Sequence, residues 1–197
     1  MSDETVSRRR RGAALNRALL EAAWEELVTE GYDALTFDAV ARRASTSKPV
    51  VYRRWATKYE LVAAAAREVL DRLPMEDPRT GNLRDDVIAF LRQASERRAP
   101  VTALAIAQLA GMYRTTGTTI QDLAARLGSR DGGVFDRILD DAVTRGEIDP
   151  ARLSPRVRSI VNDLYQHHLI VAMRPLDECE IADIVDDVFL PLVRPAT

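Results

Sequence analysis

The stretch TFDAVARRASTSKPVVYRRWATK, residues Thr36–Lys58, decides the fold of this chain. It holds two short helical patterns, over Phe37–Ala44 and over Ser47–Trp55. The three-residue turn Ser45-Thr46-Ser47 separates them, and its last residue is also the first of the second pattern. Thr36 and Ser47 are residue types that cap helix N-termini, and each stands where a helix is expected to begin. This spacing predicts a helix-turn-helix, a unit whose second helix fits the major groove of B-DNA.

Four apolar residues explain how the two helices hold together. Val40, Ala44 and Val51 are the expected contacts between them, and Ala41 is small where the helices cross closely. Packing on that side leaves the other side of the second helix exposed. The predicted DNA contacts are Thr36, Ser47, Lys48, Pro49, Val50, Tyr52, Arg53, Arg54 and Lys58.

The chemistry of these side chains suits duplex DNA. Lysine and arginine bind guanine O6 and N7, and Pro49 and Val50 can pack on thymine methyl groups. Tyr52 is long enough to reach a phosphate, and helix N-termini receive phosphate oxygens. The run 8–11, four arginines, forms a basic arm for phosphates or a minor groove. Taken singly, Tyr52 is more typical of a core aromatic and Ser47 of a simple cap; their combination at this spacing favours DNA binding.

Composition and charge agree with this interpretation. The 197 residues are 46% hydrophobic and 29% charged, the balance of a globular protein and not of a disordered one. The net charge is only −2, but Ser7–Lys58 carries eleven Lys and Arg against six Asp and Glu, and the remainder from residue 59 is net acidic. A basic head on an acidic body is typical of a polyanion-binding segment joined to one that does not bind polyanions.

The same composition argues against several protein classes. The longest charge-free run has 15 residues, Ala99–Tyr113, and a membrane span needs about 20. One cysteine, Cys179, gives no internal disulfide and no cysteine-based zinc site. The basic N-terminus has no apolar export signal, so we expect a cytoplasmic protein without a membrane partner.

Helical spacing covers almost the whole chain, which predicts an all-α fold. Before the break at Pro74–Gly81 we expect a helix-turn-helix DNA-binding domain at 8–57 and a connecting lever helix at 58–73, with a helical ligand-binding and dimerisation domain at 75–197. Gly128, Gly132 and Gly133 leave open whether the helix that ends near Arg145 is continuous. The expected helices are 12–30, 37–44, 47–55, 58–73, 82–98, 100–114, 119–145, 155–173 and 177–193.

These residues carry a resemblance to a known family. The first 75 residues resemble the DNA-binding domain of the TetR (tetracycline-repressor-like) family of bacterial regulators. The matching positions are Leu19-Leu20-Glu21-Ala22-Ala23, Gly31-Tyr32, Thr36, Val40-Ala41, Ala44, Ser47, Val51-Tyr52, Trp55 and Lys58-Tyr59-Glu60-Leu61. The resemblance implies an all-helical homodimer that binds a double-stranded operator and is released by a small-molecule effector. It also implies DNA contacts among the residues named above.

Three positions depart from the family pattern. Ser45 stands in the turn where the family usually has glycine, and a residue there is expected to need a positive φ. Arg54 and Trp55 stand where histidine and phenylalanine are frequent. Arg54 still offers a polar side chain to a phosphate or base, and Trp55 still offers a large apolar side chain to the core. The resemblance to the family is therefore unaffected.

The two helices expected from Pro155 onward carry more apolar residues than a helix with one buried face needs. We therefore expect each of them to bury two faces, one in the core and one against a second copy of the chain. The resemblance places the dimer interface on these last two helices. The expected interface residues are Ile160, Leu164, His168, Ile184, Val188 and Leu192.

The resemblance implies an effector pocket inside the body, between its helices. This half of the chain matches the family only loosely, through the segment AVTRGEI, 142–148, which looks like the signature of one subgroup. An apolar stripe of this kind is more often ordinary core. The candidate pocket residues are Phe90, Leu109, Met112, Tyr113, Phe135, Ile138, Asn162, Tyr165 and Gln166.

Other functions find little support in the residues. The chain has no metal-ligand spacing, no phosphate-binding glycine loop and no nucleophile elbow, so we expect no enzyme, no metal and no cofactor. His167 and His168 are adjacent and point about 100° apart on a helix, so they do not chelate one metal. Three hypotheses stand: a ligand-responsive repressor, an orphan DNA-binding regulator without a ligand and, much less favoured, a helical enzyme or carrier.

Overall fold

The structure, a computed structural model, describes residues 2–108, 117 and 133–195, with side chains over 12–104, at 117 and over 133–195. Every regular element within those ranges is a helix, which confirms the all-α prediction. The described chain forms two compact units. The first runs to Arg72 and takes in the end of a later helix from Leu104; the second covers Leu73–Ala103 and the described residues from Gly133 onward.

The first unit contains four helices before Leu73. They are α1 Ser2–Ala34, α2 Phe37–Arg43, α3 Lys48–Tyr52 and α4 Lys58–Asp71. Threonine side chains cap two of these helices, and the cap by Thr36 was predicted. Thr36 Oγ1 accepts the amide of Ala39 at 3.1 Å, and Thr57 Oγ1 accepts the amide of Glu60 at 3.2 Å. Each hydroxyl satisfies an amide that has no partner within its helix.

The core of the first unit gathers one face from each helix. α1 packs against α4 and α2, and α2 packs against α3. Leu19, Leu27, Val40, Val51 and Leu61 are all fully buried there. Burying each such side chain stabilises the folded state by about 1.5–3 kcal/mol, so this cluster fixes the positions of the short helices α2 and α3.

The second unit is also helical. Its elements are α5 Leu83–Gln93, a π-helical segment π1 Ala94–Arg98, the part of α6 Ala99–Gln108 up to Ala103, α7 Val134–Thr144, a 3₁₀ turn Pro150–Arg152, α8 Pro155–Ala172, α9 Glu178–Ala182, a second π-helical segment π2 Asp183–Phe189 and α10 Leu190–Val193. Its core follows helical spacing, since Val161, Tyr165 and Leu169 of α8 are buried at every fourth residue.

Two bidentate ion pairs join α5 to the last helices. The guanidinium of Arg84 donates twice to Asp186 at 2.7 Å, and that of Arg92 donates twice to Glu178. Exposed pairs of this kind add little stability. Their fork geometry does fix the register of α5 against π2 and α9.

Several predicted boundaries shift. α1 begins at Ser2, ahead of the predicted residue 12. α3 ends at Tyr52, before the predicted end at residue 55, because Arg53 and Arg54 form a turn. The predicted break between residues 98 and 100 is absent, since α5, π1 and α6 follow one another without interruption. The glycines at 128 and 132 lie outside the described residues, and Gly133 stands at the N-cap of α7.

Candidate nucleic-acid interface

The junction between α2 and α3 is a tight helix-ending turn. The amide of Thr46 donates to the Ala41 carbonyl at 2.9 Å, and the amide of Ser45 donates to the Arg42 carbonyl at 3.1 Å. This pair of bonds defines a Schellman motif, in which the residue that leaves the helix adopts a left-handed conformation. Ser45 does so at φ 51°, as the sequence predicted for this position.

α2 is also tied to α1 through ionic contacts. Arg43 donates to Glu26 at 2.9 Å and to Glu25 at 3.1 Å. Glu26 is one of the few buried charged residues described in the chain. Its contact with Arg43 offsets part of the cost of burying a carboxylate and fixes the rotation of α2 on α1. The sequence does not predict this contact, because Glu25 and Glu26 lie 17 or more residues from their partner.

The outer side of α3 is exposed, as predicted. Lys48, Pro49, Tyr52 and Arg53 are exposed, with 52% of the Tyr52 surface accessible. Val51 is fully buried on the opposite side. Val50 and Arg54 are half-buried; Val50 packs against the core, and Arg54 Nη1 donates to the Val50 carbonyl at 2.9 Å.

The exposed residues of α3 are ordered by contacts with α2. The rings of Phe37 and Tyr52 meet edge to face with centroids 4.5 Å apart. Lys48 Nζ donates to Asp38 Oδ2 at 2.7 Å and lies 5.8 Å from the centre of the Tyr52 ring. The hydrogen bond to Asp38 raises the pKa of Lys48 above its ordinary value, so the ammonium stays charged.

The two helix-capping residues of the motif differ in their hydrogen bonds. The Thr36 hydroxyl caps α2, whereas the Ser47 side chain makes no capping bond although its backbone occupies the N-cap position of α3. A hydroxyl in that position can accept or donate to a phosphate oxygen.

Lys58, a predicted DNA contact, is engaged within the chain. Its ammonium donates to the carbonyls of Tyr32 at 2.7 Å and Asp33 at 3.2 Å, and it lies 4.5 Å from the centre of the Tyr32 ring. Burial lowers its pKa. Lys58 therefore fastens the start of α4 to the end of α1, and a phosphate contact would require the ammonium to leave these carbonyls. The side chains of the arginine run 8–11 lie outside the described residues.

The predicted pocket residues are only partly brought together. The Phe90 and Phe135 rings lie 5.1 Å apart, and Phe135 lies 6.0 Å from Phe189. Ile138 is buried, Gln166 is half-buried and Asn162 is exposed. The buried Tyr165 donates its hydroxyl proton to the Ala94 carbonyl at 2.9 Å. Burial raises the pKa of Tyr165 well above its ordinary value. Leu109, Met112 and Tyr113 lie outside the described residues.

A surface cavity of about 450 Å³ opens elsewhere in the second unit. It is lined by Asn82, Leu83, Arg84, Glu147, Leu190, Arg194 and Pro195, none of which was a predicted pocket residue.

The predicted dimer residues lie on partly exposed helix surfaces. Leu192 is 40% exposed, and Ile160, Leu164, Ile184 and Val188 are half-buried. His168 is mostly buried and its Nδ1 lies 3.6 Å from Glu180. His167 is exposed.

The signature segment AVTRGEI has a structural role. Arg145 donates to Asp86 at 3.2 Å and to Glu147 at 2.5 Å. Glu147 in turn accepts the amide of Leu83 at 2.7 Å, and the buried Asp86 accepts two hydrogen bonds from Thr80. The segment therefore secures the start of α5.

Within the described ranges, no helix is long and apolar enough to cross a bilayer. The same ranges contain no group of three His, Cys, Asp or Glu residues placed to hold a metal ion.

Comparison with known proteins assigns the family. The model of the tetR family of bacterial regulatory proteins matches residues 19–65, and that of the tetracyclin repressor-like C-terminal domain matches residues 77–188. A DNA-binding transcriptional repressor TetR from Mycobacteroides abscessus is 31% identical over 185 residues, which are 94% of this chain and 97% of that protein. An uncharacterised HTH-type regulator from Mycobacterium tuberculosis is 32% identical over 184 residues, 91% of this chain and 88% of that protein.

Solved structures show the same fold. The TetR family transcription regulator SCO0332 superposes with a TM-score of 0.58 at 26% identity, covering 92% of this chain and 99% of that one. The flavonoid-responsive regulator FrrA superposes with a TM-score of 0.59 at 20% identity, covering 94% and 100%. These relatives are regulators rather than enzymes. The chain belongs to the TetR family of bacterial regulatory proteins and is a DNA-binding transcriptional regulator.

Proposed function

We propose that this protein is a cytoplasmic repressor that binds a palindromic operator as a homodimer through α3 and is released by a small-molecule effector. The observation that carries the proposal is the exposed side of α3. There, Lys48, Pro49 and Tyr52 project from a helix whose other side is held in the core by Val51, and the exposed Arg53 follows directly after the helix.

The roles of the individual side chains follow from their chemistry. Arg53 and Lys48 supply donors for guanine or phosphate, Pro49 and Val50 supply apolar surface for thymine methyl groups, and Tyr52 supplies a hydroxyl for a phosphate. Thr36, Ser47, Arg54 and Lys58 remain proposed backbone contacts. The contacts of Arg54 and Lys58 within the chain make these two the weaker candidates.

The proposed dimer uses the apolar residues of α8 and of the last helical segment. Ile160 and Leu164 of α8, Ile184 and Val188 of π2, and Leu192 of α10 are incompletely buried within one chain. Covering them with the same surface of a second copy forms a four-helix arrangement with twofold symmetry. Such a dimer presents two α3 helices to half-sites about 34–36 Å apart.

The proposed effector site lies in the second unit. Support comes from the aromatic cluster of Phe90, Phe135 and Phe189, since drug-sized ligands bind mainly to apolar and aromatic surface. The fold relative FrrA is named as flavonoid-responsive, which supports a response to some small molecule here without identifying it. An orphan regulator without an effector is the alternative, and a purified operator complex that no compound dissociates would favour it.

The operator is identified by selecting the genomic DNA fragments that the purified protein binds. Fluorescence anisotropy then measures the affinity of each variant for that operator. We expect Arg53→Ala to lower operator affinity about tenfold, or ~1.4 kcal/mol. Tyr52→Phe keeps the packing on Phe37 and removes only the hydroxyl, so we expect a loss of about three- to tenfold.

The matched control is Arg156→Ala, which removes an exposed arginine from α8. We expect it to bind the operator like the wild type, and sedimentation should show two chains for each operator in every case. Equal affinity for the wild type and both α3 variants would contradict the proposal.

A further inference from the structure

An acidic residue lies on the proposed DNA-binding surface, which is otherwise basic. Asp38 is in the first turn of α2, its side chain is 54% exposed, and its Oδ2 lies 2.7 Å from Lys48 Nζ at the start of α3. A carboxylate next to a polyanion weakens non-specific binding, because it repels phosphates and neutralises a lysine that would otherwise bind them.

Helix capping does not account for the Asp38 carboxylate. The N-cap of α2 is Thr36, whose hydroxyl accepts the Ala39 amide. The carboxylate of Asp38 instead accepts the Lys48 ammonium, ten residues along the chain. A negative charge in the first turn does favour the helix dipole, but an exposed position anywhere in that turn would serve.

The ion pair presents a donor and an acceptor side by side. Lys48 has three N–H donors, so it keeps two after bonding Asp38, and a carboxylate has lone pairs beyond the one used by Lys48. In the major groove a G·C pair presents the guanine O6 and N7 acceptors beside the cytosine N4 donor. The N-terminal residues of a recognition helix are the ones that meet base edges, and Lys48 is the first residue of α3.

We propose that Asp38 is a specificity-determining residue, which together with Lys48 recognises one G·C pair in each half-site and weakens binding to other DNA. This inference rests on the proposed function, because it requires α3 to enter the major groove. Lys48 donates to the guanine and Asp38 accepts the cytosine amino group. The neighbouring Tyr52 ring limits the positions open to the ammonium.

The test compares affinity for the selected operator with affinity for an unrelated duplex of the same length, over a range of salt concentrations. For Asp38→Asn we expect tighter binding to the unrelated duplex and a ratio of the two affinities that falls about tenfold. Because Lys48 is released to bind phosphate, the salt slope on unrelated DNA should steepen by about 0.9. Asp38→Asn combined with Lys48→Gln should restore the wild-type slope.

Repeating the fragment selection with Asp38→Asn supplies an independent result. We expect the preference for G·C to disappear at one position of each half-site and to remain elsewhere. Asp71→Asn is the matched control, since Asp71 is also an exposed aspartate in an ion pair, with Arg67 at 3.6 Å, at the far end of α4. It should leave the affinity ratio unchanged.

An affinity ratio and a base preference that are both unchanged in a folded Asp38→Asn variant would overturn the inference, as would an equal loss on both duplexes. Thermal unfolding establishes that the variant is folded. If the wild-type protein itself binds no duplex, the proposed function fails. If the wild type binds its operator and Asp38→Asn behaves like it, only the role of Asp38 fails.

Discussion

Ser45 holds a conformation that costs it free energy. Its φ of 51° lies in the left-handed region, where an L-residue other than glycine is disfavoured by about 1–2 kcal/mol. The matching turn after α7 has the same hydrogen-bond pattern and places Gly146 in that position, at φ 77°. The turn of the DNA-binding motif therefore uses a less suitable residue than the turn of the second unit.

Substitutions at Ser45 test this cost. We expect Ser45→Gly to raise the free energy of unfolding by up to about 1 kcal/mol, because relief of the left-handed cost exceeds the added chain entropy of glycine. Ser45→Val should lower it by about 1–2 kcal/mol, since a β-branched residue is least suited to positive φ. Urea unfolding of both variants measures the difference; a valine variant as stable as the glycine variant would contradict the strain.

Single residues also show which contacts can be predicted from the sequence and which cannot. The capping by Thr36 was predictable from local backbone chemistry. The positive φ of Ser45 was predictable from the family resemblance, because the family usually has glycine at this position. The bonds of Lys58 to Tyr32 and Asp33 were not, since they join positions 25 and 26 residues apart through the packing of α1 against α4. The Asp38–Lys48 pair was not predictable either, because it depends on how α3 packs against α2.

At the scale of elements, helix starts were predicted better than interruptions. Ser154 caps α8 through its side chain, and Asp177 forms a capping box with Glu180 at the start of α9; both helices begin within one residue of the prediction. The π-helical segments within 83–108 and 178–193 had no sequence signal, because their apolar spacing is that of an ordinary helix. Glycines and prolines mark possible helix breaks but do not determine them, as the uninterrupted helix through Pro100 shows.

The capping box of α9 makes the stability of the last helical segment depend on pH in the acid range. Hydrogen bonds from Arg174 and from the Asp177 amide lower the pKa of Glu180 to about 2. Its ordinary value in an unfolded chain is about 4.3. A carboxylate with a depressed folded-state pKa contributes stability above its unfolded pKa, and that contribution is lost as the pH falls from about 4.3 towards 2.

The prediction is that Glu180→Gln is less stable than the wild type at pH 7 and that the gap narrows as the pH falls from about 4.3 towards 2. Urea unfolding at a series of pH values gives the two curves. Asp187→Asn serves as the control, because it removes an exposed carboxylate from the same helical segment. If the free energies of unfolding of Glu180→Gln and the wild type fall in parallel throughout the acid range, the capping box is not the source of the pH dependence.

At the scale of the whole molecule, the charge distribution and the motif indicate the same function. The basic residues concentrate in Ser7–Lys58, the region that contains α2 and α3. The family resemblance followed from the first 75 residues, because they satisfy packing, capping and turn chemistry at once. The all-helical fold followed from helical spacing over almost the whole chain. The effector pocket and the dimer interface did not follow to the same degree, since an apolar helix face is equally suited to core, ligand or partner.

The central claim is that the exposed side of α3 contacts duplex DNA, and hydroxyl-radical footprinting with mass spectrometry tests it on the unmodified protein. Tyr52 and Met173 are both exposed, at 52% and 45%, and they lie in different units, so one protein supplies the probe and its reference. At saturating operator we expect oxidation of Tyr52 to fall severalfold and that of Met173 to stay unchanged. Tyr52 oxidised equally fast with and without bound operator would contradict the account.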